Sequence, residues 1–301
     1  MSVVDELSQL VRDTDAAVGR AVVAIGRHGR GTGFVIATNR VVTNAHNLRD
    51  RTTEVRFDDG RTVQGTVVGS DVDGDLVVLE VDTGEVAPLE WGENAVATGD
   101  VVVAVTAGRQ QRRVGWGQVT RAEAGFRGPR GRQIHGAIEH VAPCAAGSSG
   151  APVLDRSARV VAINTHRLEH GFYLARAADA TLRDAVAGMA EGRTYQRQTL
   201  GVALAPAAVA ARLRKSVGLP ERDGLLVRSV AEGSPAEAAG IQQGDLLVRA
   251  GDRDLRSADD LFDVLGSVAP GGELAITAVR GVEELRLTVT FGAADESGDA
   301  E

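Results

Sequence analysis

The chain has 301 residues, which is long enough for two domains, and its formal net charge is −8 at pH 7. An acidic chain has no overall positive field to attract nucleic acid or an anionic membrane surface, so we expect neither as a partner. Cys144 is the only cysteine, which excludes a disulfide within the chain.

Residues 1–19 are predicted to form an N-terminal helix, because apolar residues from Leu7 to Val18 recur at helical spacing. The acidic Asp5 and Glu6 leave no apolar core of signal-peptide length at this end. No later segment approaches the roughly 20 apolar residues that span a bilayer. The sequence therefore predicts a cytoplasmic location.

Residues 20–190 are predicted to form a first, mainly β domain. Short runs rich in β-branched residues are separated by Gly, Asp and Asn turns, a pattern typical of barrels and sandwiches. Residues 179–190 are predicted to close this domain as a helix. Arginines are grouped over residues 109–113 and 127–132, where we expect solvated loops.

A second domain is predicted after a polar linker over residues 191–198. Residues 199–292 contain helical patterns at 207–217 and 258–265 together with four short strands, which predicts a small α+β module. Residues 293–301 are acidic and nearly devoid of apolar groups, so we expect a disordered tail.

Three short motifs of the first domain hold the residue types of a serine protease. A serine hydroxyl is a poor nucleophile unless a base removes its proton, and the base needs a third group to hold its ring in the useful tautomer. The chain order His46, Asp75, Ser149 is the order of chymotrypsin-like double barrels. The motifs are Thr43-Asn44-Ala45-His46, Gly74-Asp75-Leu76-Val77 and Gly147-Ser148-Ser149-Gly150-Ala151-Pro152.

Taken singly, each motif is more often structural: a glycine-serine turn, a hydrogen-bonded barrel histidine or a surface acid. Their conjunction predicts Ser149 as the nucleophile, His46 as the base and Asp75 as the group that orients the base. The turn around Ser149 also suits an oxyanion hole made of the backbone N–H groups of Gly147 and Ser149. Cys144 lacks such a turn, so we expect a buried small apolar residue rather than a nucleophile.

Residues 20–292 resemble the HtrA/Deg family of trypsin-like serine proteases, which carry a C-terminal PDZ domain. The resemblance implies a mainly β fold in which a chymotrypsin-like double β-barrel is followed by one small α+β PDZ domain. The matching segments of the first domain are Gly31 to Ile36, Val42 to His46, Asp75 to Leu79, Gly147 to Val153 and Ala162 to Thr165. Those of the second domain are Thr199 to Val202, Ser234 to Ile241 and Gln243 to Leu247.

For the second domain, the resemblance implies a groove that binds the C-terminus of a peptide. Backbone N–H groups of the loop over residues 199–202 would hold the terminal carboxylate, since a row of such groups attracts an anion. The groove residues implied for an apolar terminal side chain are Leu200, Gly201, Val202, Leu261 and Val264.

For the whole chain, the resemblance implies a bacterial serine endopeptidase of protein quality control. It would cleave unfolded or damaged proteins through an acyl-enzyme, bind polypeptide substrates and peptide C-termini, form a homotrimer, and need no cofactor. Two residues of the serine motif depart from the family, since Ser148 replaces the usual Asn and Ala151 the usual second Gly; Val141, Pro143 and Cys144 before the motif also differ from it. The departures at positions 148 and 151 motivate an alternative, a degenerate protease that acts as a PDZ-based peptide-binding or chaperone-like module.

The expected primary specificity pocket, over residues 143–146 and 163–165, contains no acid. We therefore predict cleavage after small or medium aliphatic residues such as Val, Ala or Leu. The remaining histidines lack carboxylate or cysteine partners at ligand spacing, so no metal site is predicted.

Overall fold

The chain folds into two compact units, Met1–Tyr195 and Gln196–Glu301. A computed structural model describes residues 2–93, 95–108, 111–127, 133–169, 171–195, 198–205, 207–220, 222–269 and 271–292. The expected tail over residues 293–301 lies outside the described residues. The first unit holds two six-stranded barrels and the second a smaller sheet with helices. The predicted fold, a mainly β double barrel followed by a small α+β domain, is confirmed.

Helix α1, Val3–Val18, begins at Ser2 and ends in a 3-10 turn over Gly19–Ala21. The Ser2 hydroxyl accepts from the Asp5 backbone and the Asp5 carboxylate accepts from the Ser2 backbone, a capping box that satisfies the first helical N–H groups. Val18 is buried, so the end of the helix packs on the first barrel.

Arg112 fixes this helix to the rest of the first unit, although we expected residues 109–113 to form a solvated loop. Its guanidinium forms ion pairs of 2.6 Å with both Asp15 of α1 and Asp58. Because Asp15 lies 97 positions earlier in the chain, nothing local in the sequence signals this contact.

The first barrel is a closed ring of six antiparallel strands. They pair in the order β5-β4-β1-β2-β3-β6, and β5 also pairs with β6. Phe34, Leu76 and Leu79 are fully buried in its interior among many valines, as expected of a chain poor in aromatics. The strands are β1 (Val22–Ile25), β2 (Gly31–Ala37), β3 (Arg40–Thr43), β4 (Thr52–Arg56), β5 (Thr62–Asp71) and β6 (Leu76–Glu80).

The second barrel is also closed, in the order β10-β11-β12-β9-β8-β7. Its interior is filled by small residues such as Ala104, Ala162 and Ala175, all fully buried. The strands are β7 (Val101–Thr106), β8 (Arg113–Arg127), β9 (Gln133–His140), β10 (Pro152–Leu154), β11 (Val160–Glu169) and β12 (Phe172–Ala177).

Helix α2, Ala180–Ala190, returns the chain to the first barrel. It begins at Asp179, whose carboxylate accepts the backbone N–H of Leu182 at 2.8 Å. Strand β13, Thr194–Tyr195, then pairs in parallel with β5. Residues 194–195 of the predicted linker over 191–198 therefore pair with the first barrel. A two-residue strand is too short to show an alternating pattern in the sequence.

In the second unit the strands pair in the order β14-β15-β16-β18-β19, and β17 pairs with β16. None of the helices in the described ranges is long and apolar enough to cross a bilayer. The elements are β14 (Val202–Leu204), α3 (Ala207–Ser216), β15 (Leu225–Val230), α4 (Pro235–Ala238), β16 (Leu246–Ala250), β17 (Arg253–Asp254), α5 (Ala258–Ser267), β18 (Glu273–Arg280) and β19 (Glu283–Thr290).

Candidate active site and peptide groove

His46 and Asp75 meet because neighbouring strands of the first barrel end beside each other. His46 lies in a 3-10 turn that follows β3, and Asp75 directly precedes β6. The His46 Nδ1 atom is 2.8 Å from Asp75 Oδ2, and the His46 backbone N–H donates to Asp75 Oδ1 at 3.1 Å. An ionised carboxylate only accepts, so we assign the ring proton to Nδ1, which leaves Nε2 as an acceptor.

The Asp75 side chain is fully buried, whereas 35% of the His46 side chain is exposed. A buried carboxylate must be hydrogen-bonded, and a third donor completes this one: Thr165 Oγ1 donates to Asp75 Oδ2 at 3.1 Å. Thr165 belongs to β11, so the second barrel helps to hold the orienting acid of the first.

The turn before Asp75 is also fixed from the second barrel. Arg176 of β12 donates to the Gly74 carbonyl at 2.7 Å and lies 3.7 Å from the Asp71 carboxylate. Asp71 in turn accepts the backbone N–H of Gly74 at 2.8 Å. A Cβ at Gly74 would collide with the Asp71 side chain. Asp75 has a φ of +60°, a conformation that Asp tolerates better than most residues.

Ser149 lies in the loop before β10, and both barrels hold its backbone. Its carbonyl accepts from the Thr32 backbone at 2.9 Å and from Asn47 Nδ2 at 2.8 Å. Since Asn47 is the residue after His46, this bond brings the serine loop to the histidine. The next residue, Gly150, donates its backbone N–H to the Asn164 carbonyl of β11 at 2.8 Å.

The Ser149 hydroxyl donates to the backbone carbonyl of Thr165 at 3.0 Å. Within the described ranges no hydrogen bond joins Ser149 to His46. Thr165 therefore contacts both predicted partners of the histidine, since its side chain binds Asp75 and its carbonyl binds Ser149. Rotation of the serine side chain is needed before its hydroxyl can donate to His46 Nε2.

The two predicted oxyanion donors have no acceptor within the described parts of the chain, so both are available to a substrate oxygen. Gly147 has a φ of +85°, and the Ser148 N–H donates to the Ala145 carbonyl at 3.2 Å, the pattern of a type II turn. A Cβ at Gly147 would also lie only 2.7 Å from the Gly29 carbonyl, so no other residue fits there without strain.

The departure at Ala151 is accommodated without strain. Ala151 is fully buried, donates its backbone N–H to the Ser148 carbonyl at 2.9 Å and accepts from the Asn164 N–H at 2.8 Å. The described non-glycine residues with positive φ are His28, Asn39, Asp75 and Ala158, so position 151 does not require a glycine backbone.

Cys144 is placed as a half-buried thiol beside the serine loop. Burial raises the pKa of Cys144 to about 12, against weaker opposing effects of hydrogen bonds with Ser148 and Asn164. The thiol therefore stays protonated at neutral pH and is a poor nucleophile.

His166 is a residue of this site that the sequence did not reveal. Its ring stacks against that of His46 with centroids 5.9 Å apart, and the edge of Phe126 approaches it at 5.2 Å. The pKa of His166 is lowered, mainly by burial of its ring. The charge of Asp75 raises this pKa, and the charge of His46 lowers it further. The only available signal was its position directly after Thr165.

In the second unit, an apolar cavity of about 560 Å³ lies between β14 and α5. Leu200, Gly201, Val202 and Leu261 lie on its wall, whereas Val264 packs on the core of the unit. Helix periodicity gives the reason. The cavity face of α5 carries Ala258, Leu261, Phe262 and Leu265, three or four positions apart, whereas Val264 is turned aside and packs on the core.

The loop before β14 is arranged as an anion site would require. The backbone N–H groups of Leu200 and Gly201 have no acceptor within the described residues. Gly201 has a φ of +75°, and its carbonyl accepts from the Ala231 N–H at 2.8 Å, which fixes the loop against β15.

Comparison with known families and proteins agrees with both domains. Residues 31–163 match the model of the trypsin-like peptidase domain, and residues 200–291 match that of the PDZ domain. Bovine serine protease HTRA2, mitochondrial, is 30% identical over 88% of this chain and 63% of its own length. A probable periplasmic serine endoprotease, DegP-like, of Brucella suis is 30% identical over 88% of this chain and 52% of its own length. The chain thus spans less than two thirds of both relatives.

Solved structures show the same fold. The HtrA-type protease AlgW with decapeptide superposes with a TM-score of 0.76 at 20% identity, covering 95% of this chain and 99% of that one. The serine endoprotease from Yersinia pestis gives a TM-score of 0.72 at 21% identity, over 95% and 98% of the two chains.

The matched domains define a trypsin-like serine protease joined to a single PDZ domain. The chain belongs to the HtrA family. The predicted pair of domains, a trypsin-like peptidase domain followed by one PDZ domain, is confirmed.

Proposed function

We propose that this chain is an active endopeptidase in which Ser149 is the nucleophile, His46 the general base and Asp75 the residue that orients His46. The observation that supports this most strongly is the pair of hydrogen bonds made by Thr165, to Asp75 and to Ser149. Through these two bonds and the bond of His46 to Asp75, the three side chains lie close together where the two barrels contact each other.

In the proposed reaction, the Ser149 hydroxyl leaves the Thr165 carbonyl and donates to His46 Nε2. Its oxygen attacks the scissile carbonyl carbon while the proton passes to Nε2, and the oxyanion accepts from the N–H groups of Gly147 and Ser149. The imidazolium then gives its proton to the leaving amine, which produces the acyl-enzyme. Water, deprotonated by the same nitrogen, releases the acid and restores the serine, and Asp75 stays ionised throughout.

We further propose unfolded or damaged polypeptides as substrates, with cleavage after small or medium aliphatic residues because residues 143–146 and 163–165 are uncharged. The groove of the second unit would hold a peptide C-terminus, its carboxylate on the N–H groups of Leu200 and Gly201 and its apolar side chain against α5. The homotrimer, the cytoplasmic location and the lack of nucleic-acid, membrane or cofactor partners remain predictions.

Labelling with a fluorophosphonate probe tests the nucleophile directly. We expect the wild-type chain to be labelled and the modified peptide to carry Ser149, whereas Ser149→Ala is not labelled. Ser148→Ala is the matched control, since it removes the neighbouring hydroxyl and should leave labelling at Ser149. Loss of labelling in the control alone, or labelling that persists in Ser149→Ala, would contradict the assignment.

A second candidate function is a degenerate protease that binds peptides through its PDZ domain. The hydrogen bond from Ser149 to Thr165, instead of to His46, is the observation that favours it. Binding of C-terminal peptides by a wild-type chain that neither reacts with the probe nor cleaves unfolded protein would establish this alternative.

A further inference from the structure

His166 lies against the proposed base, but the proposed mechanism gives it no role. It follows Thr165 on β11, and its ring lies at 29° to that of His46 with centroids 5.9 Å apart. On another side, the Phe126 ring meets it edge-on, at 5.2 Å and 83°. Phe126 is itself buried in a cluster with Ile134 and Leu174. The ring of His166 therefore joins the proposed base to the core of the second barrel.

We propose that His166 is a positioning residue for His46, whose neutral ring supports the catalytic imidazole and whose protonation slows the proton transfers made by His46. The inference rests on the proposed function, because it assumes that His46 is the base.

The support is needed because the hydrogen bonds of His46 fix only one edge of its ring. Asp75 binds Nδ1 and the backbone N–H, but the ring can still tilt about this edge toward solvent, where 35% of the side chain is exposed. An offset-stacked neighbour restricts that tilt, and aromatic rings at this separation attract one another. His166 can give such support because Phe126 restrains its own position.

The charge of His166 matters because acyl transfer places a positive charge on His46. A proton on His166 would put a second positive charge about 5.9 Å away. If the charges are screened as in water, that repulsion slows the reaction by about threefold. If they are screened only as at a protein surface, it slows the reaction by about a hundredfold.

Within the described residues, the charges that act on His166 are those of Asp75 and His46. The Asp75 charge favours a proton on His166 and the His46 charge opposes one. Phe126 of β8, and Leu174 of β12, which is the register partner of His166, do not titrate. The next residue along its own strand, Arg167, lies over the Tyr173 ring at 6.0 Å. Burial lowers the pKa of His166, so its ring is neutral at neutral pH and gains its proton only in acid.

The test is the rate of Ser149 labelling by the fluorophosphonate, measured with the full chain from pH 4.5 to 8.5. In the wild type, protonation of His166 slows labelling in acid, so we expect the rate to fall more steeply with decreasing pH than in a variant with no charge at position 166. His166→Phe keeps an aromatic ring without a charge. It should retain the rate at pH 8 within about threefold and show a shallower fall of the rate in acid than the wild type.

Two further variants separate support from charge. His166→Ala removes the stacked ring and should lower the rate at every pH, a loss that the Phe variant rescues. Arg167→Gln is the control, since it removes a charge one position away and should leave the profile unchanged. Circular dichroism of each variant confirms that it is folded.

The inference alone is overturned if wild type is labelled at Ser149 and His166→Phe gives the same acid slope, or if Arg167→Gln changes the slope as much. Absence of labelling in the wild type overturns the proposed function together with the inference.

Discussion

The protease site and the PDZ groove of this chain are built from opposite kinds of contact. The first depends on buried polar groups, since Asp75 is fully buried and accepts from His46 and Thr165. The second is a mainly apolar cavity, in which the backbone N–H groups of Leu200 and Gly201 have no acceptor within the described residues. Single side-chain changes should therefore abolish function in the first site and only weaken it in the second.

Asp75→Asn should give the largest effect. The donors of His46 and Thr165 contact both carboxylate oxygens of Asp75, but an amide has only one oxygen to accept them. The NH₂ group of the amide would also stabilise the wrong tautomer of His46. We expect turnover of an unfolded protein substrate to fall by about four orders of magnitude, by analogy with the loss described for triad acids. Binding of a C-terminal peptide, measured by calorimetry, should be unchanged. A variant with more than a tenth of wild-type turnover would contradict the role of Asp75.

The same contrast predicts different acid sensitivity of the two units, because no histidine follows residue 170. His140 is fully buried, its Nδ1 accepts the Ala142 N–H at 3.2 Å, and its Nε2 lies 3.2 Å from Asn164 Oδ1. Burial lowers the pKa of His140 to about 4 from 6.5, although the hydrogen bond with Asn164 opposes this. The folded protease unit therefore holds this ring neutral.

Because the folded pKa lies below the unfolded one, the unfolded chain binds more protons between about pH 6.5 and 4. The free energy of unfolding should then fall with decreasing pH in this window, by at most about 3 kcal/mol from this residue. Urea unfolding at pH 7 and 4.5, followed by the fluorescence of Trp91 and Trp116, measures it for the protease unit. A stability that does not change with pH, or an NMR titration of His140 near 6.5, would show this prediction to be wrong.

Phe262→Ala should have the smallest effect, about 1–2 kcal/mol or roughly five- to thirtyfold in affinity for a C-terminal peptide, since it trims one wall of an apolar groove. Val264→Ala, two positions along the same helix, is the matched control and should bind as the wild type does. Neither change should alter labelling of Ser149. Equal losses in the two variants would mean that the cavity is not the peptide site.

The sequence predicted the parts of this molecule that local residue type determines. His46, Asp75 and Ser149 were predicted because catalysis needs those types in that chain order, and the barrels were predicted because short β-branched runs recur. The roles of Thr165 and His166 were not predictable, since they depend on where β11 passes the end of the first barrel. The side of α5 on which Val264 lies depends on helix rotation, and the contact of Arg112 with Asp15 depends on the distant fold of the chain.

The central claim is that Ser149 forms the acyl-enzyme. It is tested most directly by intact-mass and peptide-level mass spectrometry of the chain quenched during turnover of an aliphatic p-nitrophenyl ester. We expect an adduct of the acyl mass on Ser149 that forms in the initial burst and is absent from His46→Ala. Turnover with no adduct, or an adduct on another residue such as Cys144, would contradict it.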